Sequence, residues 1–197
     1  MAQVAETFDV LIRQWAKERP ETIALDGPDQ VLTYRELLAV TDRLVGAFAA
    51  LGLRKGDRIA WLGKNCSLYF VLLFAAGRTG IVMTPIGWRL SPGEAQWIAE
   101  NAAVRLVFLG PGFEGDKGIF SGAEQCFTAA EAWQLAQDST PIEFTPAATE
   151  DAVLQLYTSG TTGQPKGAVL ANRSLFRLRP APGAAQPAYH SIHPDEA

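Results

Sequence analysis

The sequence predicts an α/β fold built around a largely parallel sheet. Three observations support this prediction: apolar residues make up 48% of the 197 residues, segments with strand and helix patterns alternate from residue 20 to about residue 137, and several predicted helices begin at a capping box. Alternation of this kind is typical of units in which a helix connects two parallel strands. At roughly 150 residues per domain, the length predicts one domain or slightly more.

The first predicted helix has a single apolar face. Its apolar residues follow the spacing i, i+3, i+4 and i+7 and are Phe8, Leu11, Ile12 and Trp15. This spacing matches the 3.6-residue period of an α-helix, and the following Arg19-Pro20 pair is a typical end signal. We therefore expect a helix that covers a core with one side.

The second predicted helix follows a short strand at residues 23–25, a turn at 27–29 and the apolar pair at 31–32. Thr33 and Glu36 have the spacing of a capping box, in which each side chain bonds a free backbone amide at the start of the helix. The helix ends at Gly52, because glycine is the usual residue just after a helix.

In the central part of the sequence, strand and helix patterns alternate more regularly. Strands are predicted at residues 58–62, 81–84 and 105–109, with a buried helix at 68–76 between the first two. Ser91 and Glu94 repeat the capping-box spacing, with Pro92 at the first helical position, where its missing N–H costs nothing. Thr128 and Glu131 begin a further helix in the same way.

The last quarter of the sequence changes character. Residues 138–150 contain two prolines and no periodicity, so we expect a connector between an α/β subdomain at 1–137 and a second subdomain that begins at 151–176. In that segment, two apolar runs at 153–157 and 167–170 flank a polar loop. Residues 177–197 contain four prolines, several alanines and no apolar face, and we expect them to be disordered.

Composition excludes several classes of protein. The net charge is −4 and no basic cluster is present, which argues against a nucleic-acid partner. Two distant cysteines, Cys66 and Cys126, provide neither a disulfide framework nor a zinc site, and no other metal site is expected. The acidic start is unlike a signal peptide, and the longest apolar stretch, 68–76, is half the length of a membrane span. We therefore expect a cytoplasmic protein.

The polar loop at residues 157–167 is the strongest candidate site. It combines hydroxyl side chains, glycine amides and a lysine, which are the groups that bind phosphate oxygens. The candidate phosphate-binding residues are Thr158, Ser159, Gly160, Thr161, Thr162, Gly163, Lys166 and Gly167. It is not a Walker A loop, because Gln164 and Pro165 separate the last loop glycine from the lysine and a strand follows. An ordinary Ser/Thr/Gly hairpin loop is the alternative.

Residues 157–167 resemble the phosphate-loop signature of the adenylate-forming enzymes, a superfamily of acyl-CoA synthetases, peptide-synthetase adenylation domains and firefly-type luciferases. Residues 32–37, and residues 74–80 leading to 84–85, resemble the first two core motifs of this family in the same order. Residues 88–94 are similar to acyl-CoA synthetases rather than to peptide synthetases. The resemblance extends from about residue 5 to residue 176 and implies the first part of the family's N-terminal domain, an incomplete domain.

The resemblance implies a two-step reaction. ATP and a small carboxylate give an acyl-adenylate and pyrophosphate with Mg²⁺, and CoA then displaces AMP to form a thioester. The loop hydroxyls and glycines would hold the β- and γ-phosphates, and Lys166 would add a positive charge. Two positions depart from the family pattern: Gly87 stands where Asn is frequent, and Ala171-Asn172 replaces a hydroxyl residue followed by His. We expect the second change to alter the wall of the acyl pocket.

The family's adenine motif, ribose-binding Asp, hinge and C-terminal catalytic Lys would all follow the phosphate loop. None can be placed in residues 177–197. We therefore expect a truncated, frame-shifted or partial chain that cannot adenylate a carboxylate alone. The alternatives are a non-catalytic phosphate-binding or partner-binding protein, and a fragment of another adenylate-forming enzyme such as a peptide-synthetase adenylation domain.

Other motifs favour structural interpretations. Residues 110–115 match a dinucleotide fingerprint, but no helix pattern follows, so we expect a turn. His190 and His193 lack a third metal ligand. We expect Cys66 to be a small buried apolar residue, Asp57 to be a turn residue and four tryptophans to lie in the core or at a subdomain contact: Trp61, Trp88, Trp97 and Trp133.

Overall fold

The computed structural model describes residues 7–158 and 165–176. The strands are β1 Ile23–Asp26, β2 Val31–Thr33, β3 Arg58–Leu62, β4 Val82–Ile86, β5 Val104–Leu109, β6 Gln125–Thr128, β7 Ala152–Thr158 and β8 Lys166–Ala171. The α-helices are α1 Phe8–Glu18, α2 Tyr34–Ala50, α3 Ser67–Thr79, α4 Pro92–Asn101, α5 Ala129–Asp138 and α6 Asn172–Phe176. A short 3₁₀ helix spans Glu114–Phe120.

Six of the strands form one sheet in the order β6-β5-β3-β4-β7-β8. The pairs from β6 to β7 are parallel, and only β8 runs antiparallel, to β7. β1 and β2 form a separate antiparallel ribbon beside α2. The α/β fold with a largely parallel sheet, expected from the sequence, is therefore confirmed.

Helices cover both faces of the sheet. On one face, α1, α2, α3 and α5 contribute to the larger core, which includes the strand residues Ile59 and Met83. Ala60 and Thr84, which follow Ile59 and Met83 in the sequence, lie on the other face, which α4 and the 3₁₀ helix cover. Successive strand residues point to opposite faces, so a strand buried on both sides is apolar throughout, as in Ile59–Leu62.

All three predicted capping boxes are present. Thr33, Ser91 and Thr128 each accept a hydrogen bond from the backbone amide of a glutamate three residues later, and that glutamate side chain bonds the capping residue's amide in return. The predicted end signal at Gly52 is also observed, because this residue adopts a positive φ angle of 75° just after α2; Gly80, with a φ of 76°, ends α3 in the same way.

Two elements differ from the sequence interpretation. Gln125–Thr128 forms the edge strand β6, which the sequence did not predict. None of its four residues is fully buried, so the strand has no apolar run. Residues 110–113 form the expected turn, but a short 3₁₀ helix follows where no helix was expected. Two glycines and three charged residues in this segment give it little helical pattern, and its fold depends on packing of Phe120 into the core.

The segment between α5 and β7 contains no helix or strand and lies against α2 and α3. Gly46 of α2 approaches the carbonyl of Thr140, and the amide of Ala147 donates to the carbonyl of Arg78 at 2.8 Å. β7 then joins the same sheet by pairing with β4.

The boundaries at 1–137, 138–150 and 151–176 stay a prediction, and residues 177–197 lie outside the described residues. Within residues 7–158 and 165–176, no helix has the length and hydrophobicity that crossing a membrane requires.

Candidate functional site

The candidate phosphate loop joins β7 to β8. The hairpin register pairs Thr158 with Lys166 and Tyr157 with Gly167. Directly paired residues of an antiparallel ladder point to the same face, so the Thr158 hydroxyl and the Lys166 ammonium lie on one side of the hairpin. Both residues are exposed. The base of the loop therefore presents a hydroxyl and a positive charge together to solvent.

The position of the hairpin in the sheet is typical of ligand sites. β7 runs parallel to β4, so Thr158 lies at the edge where the carboxyl ends of the parallel strands meet. In open α/β sheets, ligands bind in the crevice outside this edge. The sequence placed the loop between two strands, and the topology adds that those strands belong to the central sheet.

Three of the eight sequence-predicted site residues are described by the structure, and it brings them together: Thr158, Lys166 and Gly167. The other five lie outside the described residues: Ser159, Gly160, Thr161, Thr162 and Gly163. Among the residues that are described, no salt bridge involves Lys166.

Gly167 is required by packing. A Cβ atom at this position would lie 2.8 Å from Nε2 of Gln155, closer than real Cβ contacts, and 3.0 Å from Cζ of Tyr157, tighter than most of them. The Tyr157 ring therefore lies across the backbone of the opposite strand. Any larger residue at position 167 would displace this ring from the base of the loop.

A chain of side-chain hydrogen bonds, missed by the sequence analysis, connects the hairpin to its neighbours. Arg58 Nε donates to Oε1 of Gln155 at 2.9 Å, and Gln155 Nε2 donates to the Tyr157 hydroxyl at 2.9 Å. The Tyr157 hydroxyl donates to Oδ1 of Asn101, at the end of α4, at 2.6 Å. Partial burial raises the pKa of Tyr157, which keeps the phenol protonated and able to donate.

Trp88 differs from the other predicted core tryptophans. It follows β4 at the same edge of the sheet and is 37% exposed, whereas Trp61 is buried. The Lys64 ammonium lies 5.0 Å from its ring centroid, and the Arg89 guanidinium lies 4.2 Å from it. Trp88 therefore forms a cation–π group at the surface instead of filling the core.

Asn172 is fully buried, and its side chain hydrogen-bonds two segments that are distant in the sequence. Its Oδ1 accepts from the Phe8 amide at 3.3 Å, and its Nδ2 donates to the Ala148 carbonyl at 3.1 Å. Both ends of the side-chain amide are thus engaged by backbone groups. The expected contribution of this position to an acyl pocket stays a prediction, and its described contacts join distant segments of the fold.

Two further predictions can be compared with the structure. Cys66 is buried, as expected, and burial raises its pKa to about 11, which disfavours the reactive thiolate. Asp57 lies in a turn, also as expected, and accepts hydrogen bonds from the Arg54 amide at 2.7 Å and from Arg105 at 2.6 Å.

The described residues contain no cluster of three or more metal-ligating side chains. His190 and His193 lie outside them.

Comparison with known proteins places these features in context. A family model described as AMP-binding enzyme matches residues 12–194. The fatty acid–[acyl-carrier-protein] ligase ScoC of Streptomyces coeruleorubidus is 38% identical over 174 residues, covering 84% of this chain and 33% of the relative. A feruloyl-CoA synthase of an Amycolatopsis species is 35% identical over 161 residues, covering 81% of this chain and 32% of the relative.

Solved structures agree with the fold. The N-terminal domain of FACL13 from Mycobacterium tuberculosis matches with a TM-score of 0.77 and 26% identity, covering 87% of this chain and 46% of that one. A fatty acyl CoA synthetase of the same organism matches with a TM-score of 0.78 and 24% identity, covering 86% and 35% of the two chains. The chain spans about a third of the length of the curated relatives it matches and corresponds to their N-terminal part.

Proposed function

Because this chain belongs to the AMP-binding enzyme family, we propose that its β7–β8 hairpin binds the β- and γ-phosphates of ATP in an acyl-activating ligase. The observation that carries the proposal is the register pair of Thr158 and Lys166, which presents a hydroxyl donor and an ammonium on one face. The proposed ligands also include the loop residues Ser159, Gly160, Thr161, Thr162 and Gly163, together with Gly167.

The proposed reaction has two steps. A carboxylate oxygen attacks the α-phosphorus of ATP, and pyrophosphate leaves with the electron pair of the broken P–O bond. A thiol then attacks the acyl carbon of the adenylate, and AMP leaves. In the first step the hairpin stabilises the charge of the departing pyrophosphate, which is the main catalytic demand of phosphate transfer.

The residues of the hairpin fit a magnesium nucleotide. Hydroxyl and ammonium groups bind phosphate oxygens directly, whereas Mg²⁺ is usually held by one or two carboxylates together with those oxygens. The described residues offer no acidic cluster, so the proposed ion would be held mainly through the phosphates. When bound, Mg²⁺ supplies charge neutralisation to the phosphate groups.

The substrates are proposed at the level of chemical class. The named relatives act on fatty and aromatic acids, so we propose a small-molecule carboxylate as the acyl donor. Their names also include both CoA and acyl-carrier-protein acceptors. We therefore propose CoA as the thiol acceptor, with a carrier protein as the alternative, since both present the same phosphopantetheine thiol. The cytoplasmic location stays a prediction.

Binding of MgATP and magnesium pyrophosphate to the full chain, measured by isothermal titration calorimetry, tests the proposal. Lys166→Ala should weaken both affinities by about tenfold to a hundredfold, the range for losing a hydrogen bond to a charged group. Lys17→Ala is the matched control, because Lys17 is also exposed but lies on α1. Equal affinities for the wild-type chain and Lys166→Ala would contradict the proposed role of the loop.

A further inference from the structure

We propose that Tyr157 is a positioning residue that fixes Thr158 and Lys166 for anion binding through its hydrogen bond to Asn101. This inference rests on the proposed function of the hairpin. Tyr157 lies beside Thr158 in β7, and its register partner Gly167 lies beside Lys166 in β8. One ring therefore contacts both strands at the base of the loop.

The sheet itself holds this end of the hairpin weakly. The register between β4 and β7 pairs only Met83 with Leu154, whereas the ladder between β7 and β8 continues to Thr158 and Lys166. The base of the loop thus extends beyond the strand pairing that joins it to the sheet. A contact with another element is needed to define its position, and α4 supplies that contact through Asn101.

The arginine determines the direction of the first two hydrogen bonds in this chain. An arginine can only donate, so Oε1 of Gln155 must be the atom that faces Arg58. The Gln155 Nε2 group then donates to the Tyr157 oxygen, and the Tyr157 proton is directed to the carbonyl oxygen of Asn101. Gln155 is buried, and every polar atom of its side chain has a partner. This set of paired groups favours one orientation of the Tyr157 side chain.

The ring of Tyr157 is also held from the side of α4. Trp97 packs edge-on against it, with ring centroids 6.2 Å apart. Gly167 allows the ring to approach the backbone of β8. The hydroxyl bond to Asn101 therefore fixes a ring that already contacts Trp97 and β8, and loss of that bond should loosen the hairpin without opening the core.

The test compares Tyr157→Phe, Asn101→Ala and the double variant, using magnesium pyrophosphate as the probe in calorimetric titration of the full chain. Asn101→Ala should weaken binding by about threefold to tenfold, the range for one hydrogen bond. Tyr157→Phe should weaken it at least as much, because it also removes the bond from Gln155. The double variant should lose no more than Tyr157→Phe alone, because that substitution already removes the bond to Asn101. Tyr34→Phe is the matched control, since Tyr34 lies in α2 on the opposite face of the sheet.

A ligand-free measurement separates this proposal from the proposed function. Amide hydrogen exchange at Lys166 and Gly167 should be faster in Tyr157→Phe than in the wild-type chain, with unchanged exchange in β3 and β5. If the wild-type chain does not bind pyrophosphate but exchange is faster, phosphate binding is wrong and the positioning role stands. Unchanged exchange in Tyr157→Phe, or wild-type pyrophosphate affinity in that variant, would overturn the positioning role.

Discussion

The backbone amide of Phe8 donates a hydrogen bond to Oδ1 of Asn172 at 3.3 Å, although 164 residues separate the two in the chain. The other end of the Asn172 amide donates to the carbonyl of Ala148. One buried side chain therefore joins the start of α1, the segment before β7 and the start of α6.

Asn172→Ala should lower the free energy of unfolding by about 1–3 kcal/mol, because it removes both hydrogen bonds of a fully buried side chain. Urea denaturation followed by tryptophan fluorescence measures the change. Arg173→Ala is the adjacent control: its ion pair with Glu150 is solvent-exposed and should contribute less than about 1 kcal/mol. A loss for Arg173→Ala as large as that for Asn172→Ala would contradict the assigned role.

Arg78 joins three helices in the core. Its fully buried guanidinium donates to Asp9 of α1 at 2.8 Å and to Thr41 and Asp42 of α2 at 2.8 and 2.6 Å. Removing one partner of a buried ion pair costs about 3–5 kcal/mol, because a charge remains in the core. We therefore expect Arg78→Met to lower the free energy of unfolding by about this amount.

Arg13 provides the matched control for Arg78. It also bonds Asp9, at 3.0 Å, but its side chain is 50% exposed. Solvent screens such a pair, so Arg13→Met should cost less than about 1 kcal/mol. Equal effects of the two substitutions in urea denaturation would show that burial does not determine the strength of this cluster.

Gly46 allows the segment before β7 to cross α2. A Cβ atom there would overlap the carbonyl oxygen of Thr140. Alanine is favoured over glycine within a helix by about 1 kcal/mol, but overpacking of this kind typically costs about 1–3 kcal/mol. We therefore expect Gly46→Ala to lower the melting temperature. Gly93→Ala, in α4 with open space around it, should leave it unchanged or raise it.

Glu131 makes stability depend on pH at the start of α5. The Lys117 ammonium, followed by the amide and hydroxyl of Thr128, lowers the pKa of Glu131 from 4.5 to about 2. A carboxyl group with a lowered pKa in the folded state contributes stability above its unfolded pKa and loses it as the pH falls through its folded pKa. This contribution should therefore be present above pH 4.5 and disappear towards pH 2.

Lys117→Met tests this assignment by NMR titration of the Glu131 carboxyl carbon. The pKa of Glu131 should move upward, towards its ordinary value, and the loss of stability between pH 4.5 and 2 should become smaller. The pKa of Glu94 is lowered by Ser91 alone among its side-chain partners, so it should not change. An unchanged titration of Glu131 would contradict the dominant role of Lys117.

Much of the local structure could be predicted from the sequence. The three capping boxes and the glycine after α2 are signals within a few residues, and all are confirmed. Lys166 and Thr158 were selected because their chemistry suits phosphate, and their flanking segments do form strands. β6 was missed because an edge strand needs little apolar pattern when its stability comes from one neighbouring strand.

The sequence by itself determined where most helices and strands begin and end, and which loop has the chemistry to bind phosphate, because those signals are local. Only the tertiary structure decided the strand order and the groups that hold the loop in place. Tyr157 reaches its partner Asn101 across 56 residues, and Asn172 reaches Phe8 across 164. Pairs this distant leave no periodic or spacing signal, since they depend on how the packed layers bring separate elements together.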